Sequence, residues 1–588
     1  MNLPDPCGHE RAKMAALEAA AALPAPDPVP TVTYHCAGKT LVIGSAADVA
    51  PWAQGLCARL ELTALLTDPQ LTDPQLNDLL STDPLPTDPP LAGAAGPARL
   101  YPVERGHKVR IRGWLGAFEV AWERSGREAE GTARSEQFDL VLDLSAAPLL
   151  TRHQSPPGYF APGPSAIERA QAVAQLADMI GEFEKPKYFR YKERLCAHSR
   201  NRQLGCNACI EICSAEAIAG AGERILVNSN LCAGCGACTT VCPTGALSYA
   251  YPSAAYTGER LRTLVATYRE AGGGAGGGAA LLFHSGEHGK QMIGALETSA
   301  RGVPGHVIPV ELQHTASVGL DVWLAALAYG AGAVLVLMTD EEAPQYRVAV
   351  RAQMEVANTI LNALGCAGEL CRLLQPSDAQ ALGALLALPA ATMAVAEAAG
   401  FHVMADKRNT LELALSHLVR HAPQKPDYVA LPAGAPFGAI KVDSAKCSLC
   451  MACVGACPAS ALMDSADLPQ LRFIEKNCVQ CNLCAVTCPE DAIALVPRMS
   501  FADTRNRPVV LNESTPFCCI RCAKPFGTLK MVENMLGKLG GHPAFAGNLE
   551  RLRMCGDCRV IDIMKSGGSA RVTGHGERQG RPGSDAVK

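Results

Sequence analysis

Short apolar segments separated by turns predict an α/β domain in the first third of the chain. Residues 41–43 form an apolar run that ends at Gly44, and a helical stretch follows it as far as Leu60. Alternating apolar positions recur in three later segments, at residues 109–111, 118–122 and 138–144. These segments predict strands that complete an N-terminal domain over residues 31–184.

Two segments of this first part do not fit a domain core. Residues 1–30 are rich in Ala and Pro, and we expect a flexible leader with one short helix around Ala15–Ala22. The tripeptide Thr-Asp-Pro recurs between residues 67 and 90. Because proline at this density excludes a helix or a central strand, we expect a surface insertion there.

A second alternation of strands and helices follows a glycine-rich stretch at residues 272–279, which we expect to be a flexible joint. Apolar strands at 280–283, 306–310 and 333–337 alternate with helical stretches at 286–299, 318–329 and 345–364. Strands separated by helices predict a parallel sheet covered by helices, over residues 258–430.

The longest apolar run, residues 322–338, contains two glycines and is followed by acidic residues. Its 17 residues fall short of the roughly 20 that a membrane-spanning helix needs. It therefore predicts a buried helix that leads into a buried strand. Since the acidic, proline-broken N-terminus fits no targeting peptide, we expect a cytoplasmic protein without a membrane span.

Composition limits the classes of protein that fit this pattern. With 588 residues, of which 48% are hydrophobic, the chain can form roughly four folded domains. A net charge of −4 without blocks of like charge gives no sign of a nucleic-acid surface. Most of the 26 cysteines lie in groups. In a long chain without a secretory signal, grouped cysteines indicate metal ligands rather than disulfides.

Three of the groups share the spacing C-x2-C-x2-C-x3-C-P. They are Cys232, Cys235, Cys238 and Cys242; Cys447, Cys450, Cys453 and Cys457; and Cys478, Cys481, Cys484 and Cys488. With this spacing, three cysteines on one loop wrap a 4Fe-4S cubane, and the fourth, about one helical turn later, reaches a neighbouring cluster. Zinc sites do not use this pattern. The groups therefore predict iron-sulfur clusters.

A fourth group departs from the pattern. Cys206, Cys209 and Cys213 match its last three positions, but the first position is Gln203. Cys196, ten residues before Cys206, is the available replacement on a longer loop. The alternatives are a 3Fe-4S cluster with three ligands, and a Cys196 that is only a core thiol.

Crossed pairing of these runs predicts four clusters in two modules, at residues 185–252 and 436–498. We number the four sites as follows. Site 1 comprises Cys213, Cys232, Cys235 and Cys238; site 2, Cys196, Cys206, Cys209 and Cys242; site 3, Cys457, Cys478, Cys481 and Cys484; and site 4, Cys447, Cys450, Cys453 and Cys488.

A fifth group lies within residues 510–565 and has a different spacing. It consists of Cys519, Cys522, Cys555 and Cys558. Two C-x2-C knuckles are typical of a structural zinc site; a fifth iron-sulfur cluster and uncommitted thiols are the alternatives. Between the knuckles, apolar residues recur with helical period over 527–540, and we expect the tail at 566–588 to be disordered.

The fold class predicted for the whole chain is α/β multidomain. Two α+β, bacterial-ferredoxin-like modules alternate with two α/β layers, and a small zinc-ribbon-like segment follows at the C-terminus. The modules resemble bacterial two-cluster ferredoxin domains on the cysteine runs given above.

Two broader resemblances rest on other motifs. Residues 318–321 and 330–337 resemble the delta subunit of methyl-viologen-reducing hydrogenase. In that family, cysteines at the end of one strand bind a 2Fe-2S cluster. The matching positions here, 338–341, have the sequence Met-Thr-Asp-Glu and contain no cysteine. The resemblance therefore implies the same scaffold without the 2Fe-2S cluster. The order of the domains, with motifs at 156–160 and 181–186, is similar to large proteobacterial 4Fe-4S binding proteins often linked to formate dehydrogenase.

These patterns predict an electron-transfer protein that relays electrons through its clusters to or from a redox enzyme. The resemblances imply a formate dehydrogenase- or hydrogenase-type partner. No nucleophile–base motif or nucleotide-binding loop is visible in the sequence. The alternatives are a maturation factor for a metalloenzyme, and a flavin- or nicotinamide-linked oxidoreductase subunit.

Overall fold

The computed structural model of the chain describes residues 6–57, 59–67, 99–102, 109–123, 133–273, 277–300, 302–387, 393–466, 468–542 and 548–565. Residues 68–90 of the Thr-Asp-Pro insertion and the tail at 566–588 lie outside these ranges. The described residues form helices and several small sheets, which confirms a mixed α/β chain. Among them, no helix combines the length and the apolar character that crossing a membrane requires.

The first helix, α1 (Pro6–Ala21), is longer than the short helix expected around Ala15–Ala22 and is packed against the rest of the chain. Its Ala12 and Ala16 side chains are fully buried, and it packs against a helix at Ala254–Tyr268. His9 Nδ1 lies 2.6 Å from the Tyr268 hydroxyl oxygen. Alanine side chains let two helices approach closely, so this alanine-rich segment forms part of a core.

The N-terminal domain is built on a five-stranded parallel sheet. Its elements are β1 (Thr31–Cys36), β2 (Lys39–Gly44), α2 (Ala46–Cys57), β3 (Glu61–Leu66), β4 (Arg99–Pro102), β5 (Arg110–Arg112), β6 (Phe118–Glu123), β7 (Ala133–Phe138), β8 (Leu140–Asp143), β9 (Tyr159–Phe160), α3 (Ala166–Asp178) and β10 (Gly181–Pro186). The sheet order is β4-β3-β2-β8-β9, with an antiparallel β5-β6-β7 sheet beside it. β1 and β10 form an antiparallel ribbon. From this ribbon, the Tyr34 hydroxyl and the Lys185 amine donate hydrogen bonds to Asn230 O, which holds the loop before Cys232.

The first ferredoxin-like module consists of short strands and helices around the cysteine loops. Its elements are β11 (Phe189–Tyr191), β12 (Ser199–Arg200), β13 (Gln203–Leu204), α4 (Ala208–Glu211), β14 (Ile218–Ala221), β15 (Arg224–Val227), α5 (Ala237–Val241) and β16 (Leu247–Tyr249). β11 pairs with β16 and β14 pairs with β15. The β12–β13 hairpin occupies the longer loop between Cys196 and Cys206.

The second α/β domain has a four-stranded parallel sheet in the order β18-β17-β19-β20. Its elements are α6 (Ala254–Tyr268), β17 (Ala280–Ser285), α7 (His288–Glu297), β18 (Val307–Leu312), α8 (Leu320–Ala328), β19 (Ala333–Leu337), α9 (Pro344–Ala363), β20 (Cys371–Leu374), α10 (Ala379–Leu386) and α11 (Lys407–His421). Every residue of α8 and β19 is buried, as predicted for the longest apolar run.

One end of the glycine-rich stretch is packed rather than flexible. A Cβ atom at Gly278 would lie 2.4 Å from the backbone nitrogen of Gly332, and the neighbouring Ala279 is buried. Only glycine allows two backbones to approach so closely. The expectation of a flexible joint is therefore wrong at these residues.

The second ferredoxin-like module extends beyond the predicted 436–498. Its elements are β21 (Tyr428–Ala430), β22 (Gly438–Val442), α12 (Ala452–Ala456), β23 (Leu462–Met463), β24 (Gln470–Phe473), α13 (Leu483–Val486), β25 (Ile493–Ser500) and β26 (Val509–Glu513). β21 joins β25 and β22 in one sheet, and β26 joins β24 and β23 in another. β21 has only three residues and β26 buries none of its residues fully, so the sequence pattern placed both outside the module.

The C-terminal segment has little core of its own. It comprises β27 (Pro516–Cys518), β28 (Pro525–Thr528), α14 (Leu529–Leu539) and α15 (Gly556–Lys565), and α14 lies where the helical period predicted it. Among its described residues, the buried cluster consists of Cys519, Met554 and Cys555, with Phe526 and Cys558 packed against them. Thr528 caps the start of α14, and its hydroxyl donates a hydrogen bond to Ser448 O in the second module.

Candidate metal centres

In the second module, the predicted ligands surround two internal cavities. One cavity is lined by all four thiols of site 3, and the other by all four thiols of site 4. Each cavity takes three cysteines from one run and one from the other. This is the crossed arrangement that the spacing predicts, although the role of each thiol as a cluster ligand stays a prediction.

Backbone conformation explains how the loops wrap these cavities. Gly236, Met451 and Asn482 lie two residues before the third cysteine of their runs, and all three have positive φ angles of 76°, 59° and 69°. A left-handed residue costs a non-glycine side chain roughly 1–2 kcal/mol. Turns of this kind point successive backbone N–H groups into a concavity, where they stabilise negative charge. The strained backbone at Met451 and Asn482 therefore lies beside the cysteine sulfur atoms, which would carry the negative charge of a bound cluster.

In the first module, electrostatic interactions show which thiols lie together. Burial raises the pKa of Cys209 to about 12, and the neighbouring thiols Cys242, Cys206 and Cys196 add to the increase. These four cysteines are site 2. Similarly, burial raises the pKa of Cys235 to about 11, with further increases from Cys213 and Cys232 of site 1.

The donor sets at sites 1 to 4 fit iron-sulfur clusters. Four closely spaced thiolates repel one another strongly unless a cation is present between them, and bound iron would supply that positive charge. With iron bound, thiols whose pKa is raised in the bare protein are held as thiolates. The chain then contributes the sulfur ligands and backbone N–H donors, and the cluster contributes the redox chemistry.

Cys196 occupies the position expected of the missing ligand. It is buried, with 6% of its surface exposed, and it interacts with Cys206 and Cys209. The Tyr191 hydroxyl forms a hydrogen bond with it. Gln203, at the regular position of the first ligand, is exposed in β13. The β12–β13 hairpin therefore carries Gln203 away from the site and leaves Cys196 beside the other thiols.

Replacing Cys196 by alanine should convert one 4Fe-4S cluster to a 3Fe-4S cluster, because site 2 would keep three ligands. Electron paramagnetic resonance (EPR) of the oxidised protein should show the new signal, and the iron content should fall by about one atom per chain. Cys57→Ala is the matched control, since Cys57 is half-buried in the N-terminal domain. An unaltered spectrum and iron count for Cys196→Ala would remove it from site 2.

The two modules contact each other between site 2 and site 3. A Cβ atom at Gly205 would lie only 2.5 Å from Leu483 Cγ, so the residues beside Cys206 and Cys484 touch. A cavity of about 480 Å³ lies at this junction and is lined by Cys206 and Cys242 on one side and Cys481 on the other. Cysteine spacing within each module carries no information about this contact, and the sequence did not predict it.

Two consecutive residues at the start of α11 hold the modules at this junction. Lys407 Nζ donates hydrogen bonds to Thr239 O and Thr240 O in the first module. The Arg408 guanidinium donates to Pro436 O at 2.9 Å and to Lys476 O at 3.0 Å in the second. Successive residues of one helix thus bind both modules, which fixes their separation.

The C-terminal group has a different geometry. The thiols of Cys519, Cys522, Cys555 and Cys558 all lie within 4.8 Å of one another. Within the described residues, no other set of cysteine, histidine and acidic side chains is packed this closely for a metal ion. A tetrahedral zinc with Zn–S bonds of about 2.3 Å separates its sulfurs by roughly 3.8 Å, and Cys522 Sγ lies 3.6 Å from Cys555 Sγ.

The surroundings of Cys519 in this group favour its ionised, thiolate form. Burial opposes ionisation of Cys519, but backbone N–H groups of Cys555, Cys522 and Arg521 donate hydrogen bonds to its sulfur and lower its pKa to about 6. A thiolate at neutral pH is the form that binds metal. The group therefore suits a single metal ion.

The carboxyl edge of the second parallel sheet is lined by acidic side chains. Glu341 accepts hydrogen bonds from the Ser285 hydroxyl at 2.8 Å and from the backbone N–H of His288 at the start of α7. Glu342 accepts from the Thr315 hydroxyl and the Thr339 N–H, both at 2.7 Å. Doubly wound sheets bind nucleotide phosphates at such an edge, and the partly exposed carboxylate of Glu341 there would repel a phosphate. This edge does not favour a flavin or nicotinamide site.

Comparison with known proteins supports the iron-sulfur assignment. The 4Fe-4S binding domain family matches residues 225–248 and 440–463, one segment in each module. No curated protein matches the chain at a significant level. The two matched segments and the cysteine groups indicate an iron-sulfur protein, which confirms the prediction of 4Fe-4S chemistry in both modules. The number of clusters and their ligands stay predictions.

Proposed function

We propose that this protein relays electrons through four 4Fe-4S clusters, held in the spatial order site 1, site 2, site 3, site 4. The observation that carries the proposal is the junction between the modules, where Cys206 and Cys481 line one cavity. Two ferredoxin-like modules on one chain could act separately. Their direct contact at the cluster loops instead supports one continuous path.

The order within each module follows from neighbouring thiols. Cys238 of site 1 interacts electrostatically with Cys209 of site 2, and Cys484 of site 3 interacts with Cys453 of site 4. Burial raises the pKa of Cys481 to about 12, and the thiols of site 3 together with Cys206 of site 2 add to this increase. Thiols of consecutive sites therefore lie close enough to interact at each of the three steps of the proposed path.

The two ends of the path differ in their access to solvent. Cys450 of site 4 is exposed, whereas the other fifteen cysteines of sites 1 to 4 are buried or half-buried. Exchange of electrons with a soluble partner is therefore most direct at site 4. The exposed Lys446 lies beside this site in the chain, one residue before Cys447.

We propose that the C-terminal group binds one structural zinc ion. Its four thiols are close enough for a single ion, and the described residues of the segment form a small buried cluster of their own. Zinc has no redox chemistry, so the metal would stabilise this segment rather than extend the relay.

The partner we propose is a redox enzyme of the formate dehydrogenase or hydrogenase type, with the complex located in the cytoplasm. This part of the proposal rests on sequence resemblance alone. Co-purification with an active enzyme would support it, and co-purification with an immature apo-enzyme would favour a maturation factor instead.

Anaerobic reductive titration followed by EPR tests the proposed path. Four clusters should take up about four electrons per chain, and the reduced signals should be broadened by spin interaction between adjacent clusters. Gly205→Leu should weaken the interaction between sites 2 and 3, because the added side chain cannot fit beside Leu483. Isolated, unbroadened signals in the native protein would contradict a continuous path.

A further inference from the structure

The second α/β domain places one side chain directly against a predicted cluster ligand. Tyr346 lies in the first turn of α9 and is fully buried. Its hydroxyl oxygen is 3.0 Å from Cys235 Sγ of site 1. The His314 ring packs edge-on against the tyrosine ring, with centroids 5.3 Å apart. The phenol is therefore held in a fixed position at the sulfur atom.

The tyrosine has one proton and several acceptors within reach. Besides Cys235 Sγ, its hydroxyl contacts Gln154 Oε1 at 3.3 Å and Ser214 Oγ. The Ser214 hydroxyl is itself 3.0 Å from Gln154 Oε1 and can donate to it. Cys235 Sγ, as a cluster ligand, and Gln154 Oε1 can only accept a hydrogen bond from Tyr346, and the sulfur is the nearer of the two. As a cluster ligand, the sulfur also carries negative charge. Hydrogen bonds to charged acceptors are the stronger ones.

We infer that Tyr346 is a positioning residue that raises the reduction potential of the cluster at site 1 by donating a hydrogen bond to Cys235 Sγ. The inference rests on the proposed cluster content of site 1. On reduction the cluster accepts one electron from the reductant, and its negative charge increases by one. No proton is transferred. A donor at the sulfur stabilises the more negative, reduced state, and such hydrogen bonds are among the factors that set cluster potentials.

The corresponding site of the second module lacks this feature. Cys481 of site 3 holds the same place in its run as Cys235, and in the described part of the chain no hydroxyl side chain is bonded to it. It lines the cavity at the junction instead. Site 3 instead has an amide donor at another ligand, since Gln480 Nε2 lies 3.3 Å from Cys478 Sγ. Tyr346 therefore supplies a hydroxyl donor that only Cys235 of this pair receives, and it favours electrons at the end of the path that contacts the second α/β domain.

The test is Tyr346→Phe in the full, anaerobically purified chain, with potentials measured by EPR-monitored titration. Loss of the hydrogen bond should shift the reduction equilibrium of one cluster about tenfold toward the oxidised form, which is about 59 mV for a one-electron couple. Tyr249→Phe is the matched control. The Tyr249 hydroxyl donates to Gly234 O at 2.6 Å in the same cysteine loop but not to sulfur, so its loss should leave the potential unchanged.

A second variant keeps the test decisive if Tyr346→Phe fails to bind its cluster. 3-Fluorotyrosine at position 346 preserves the shape of the side chain and is a stronger donor, so the same potential should rise. Normal iron content with no shift in either variant would overturn the inference. A native protein that lacks iron at site 1 would instead contradict the proposed function.

Discussion

Replacing Cys481 by alanine is expected to stop electron transfer from the second ferredoxin-like module to the first. Cys481 and Cys206 line the same cavity, so Cys481 is the predicted ligand of site 3 at the junction with site 2. Loss of a residue that only supports a metal ligand lowers metal affinity about 10–100-fold, and loss of the ligand itself should cost at least as much. We therefore expect the rate of transfer between the modules to fall by more than about tenfold.

A flash-reduction experiment measures this rate. A photosensitiser attached through an unnatural azide-bearing residue at the exposed position 446 would inject electrons beside site 4, and the reduction of sites 1 and 2 would be followed in time. Cys57→Ala, carrying the same label, is the control and should behave as the native chain. Unchanged reduction of the first module in Cys481→Ala would show that electrons do not pass through site 3.

Replacing Cys522 and Cys558 together by serine should release zinc and unfold residues 516–565, while the cluster potentials stay unchanged. Apparent binding free energies of structural zinc are about 10–16 kcal/mol in small zinc domains. The small buried cluster of this segment cannot replace a contribution of that size. Zinc analysis and limited proteolysis of the folded chain measure the two effects.

The adjacent Cys518 provides the control for this double variant. It is exposed and lies outside the group of four thiols, so Cys518→Ser should retain zinc and resist proteolysis. If the double variant lost iron and one redox wave while keeping its zinc, the group would be a fifth cluster in the relay.

The parts of the fold set by local patterns could be predicted from the sequence. The buried run at 322–338 became α8 and β19, because continuous apolar residues are buried on all sides. Cysteine spacing also anticipated the two groups around the cavities of the second module. Three of the four predicted ligands of each cubane lie on one tight loop, so short sequence intervals predict this part of the geometry.

Features that depend on contacts between distant segments could not be predicted in this way. The alanine-rich α1 has a composition that fits a loose leader, and only its partner helix α6 shows that Ala12 and Ala16 are buried. The junction at Gly205 and Leu483, and the contact of Tyr346 with Cys235, join residues far apart in the chain. A single glycine or tyrosine that belongs to no motif gives no sign in the sequence that it will contact a distant segment.

Metal and sulfide content per chain is the most direct test of the relay. Protein purified without oxygen should contain about sixteen iron atoms, about sixteen acid-labile sulfides and one zinc ion. This result would agree with four 4Fe-4S clusters at sites 1 to 4 and a separate closed site at the C-terminus. Fewer than half that iron, together with disulfides among the sixteen cysteines, would contradict the account.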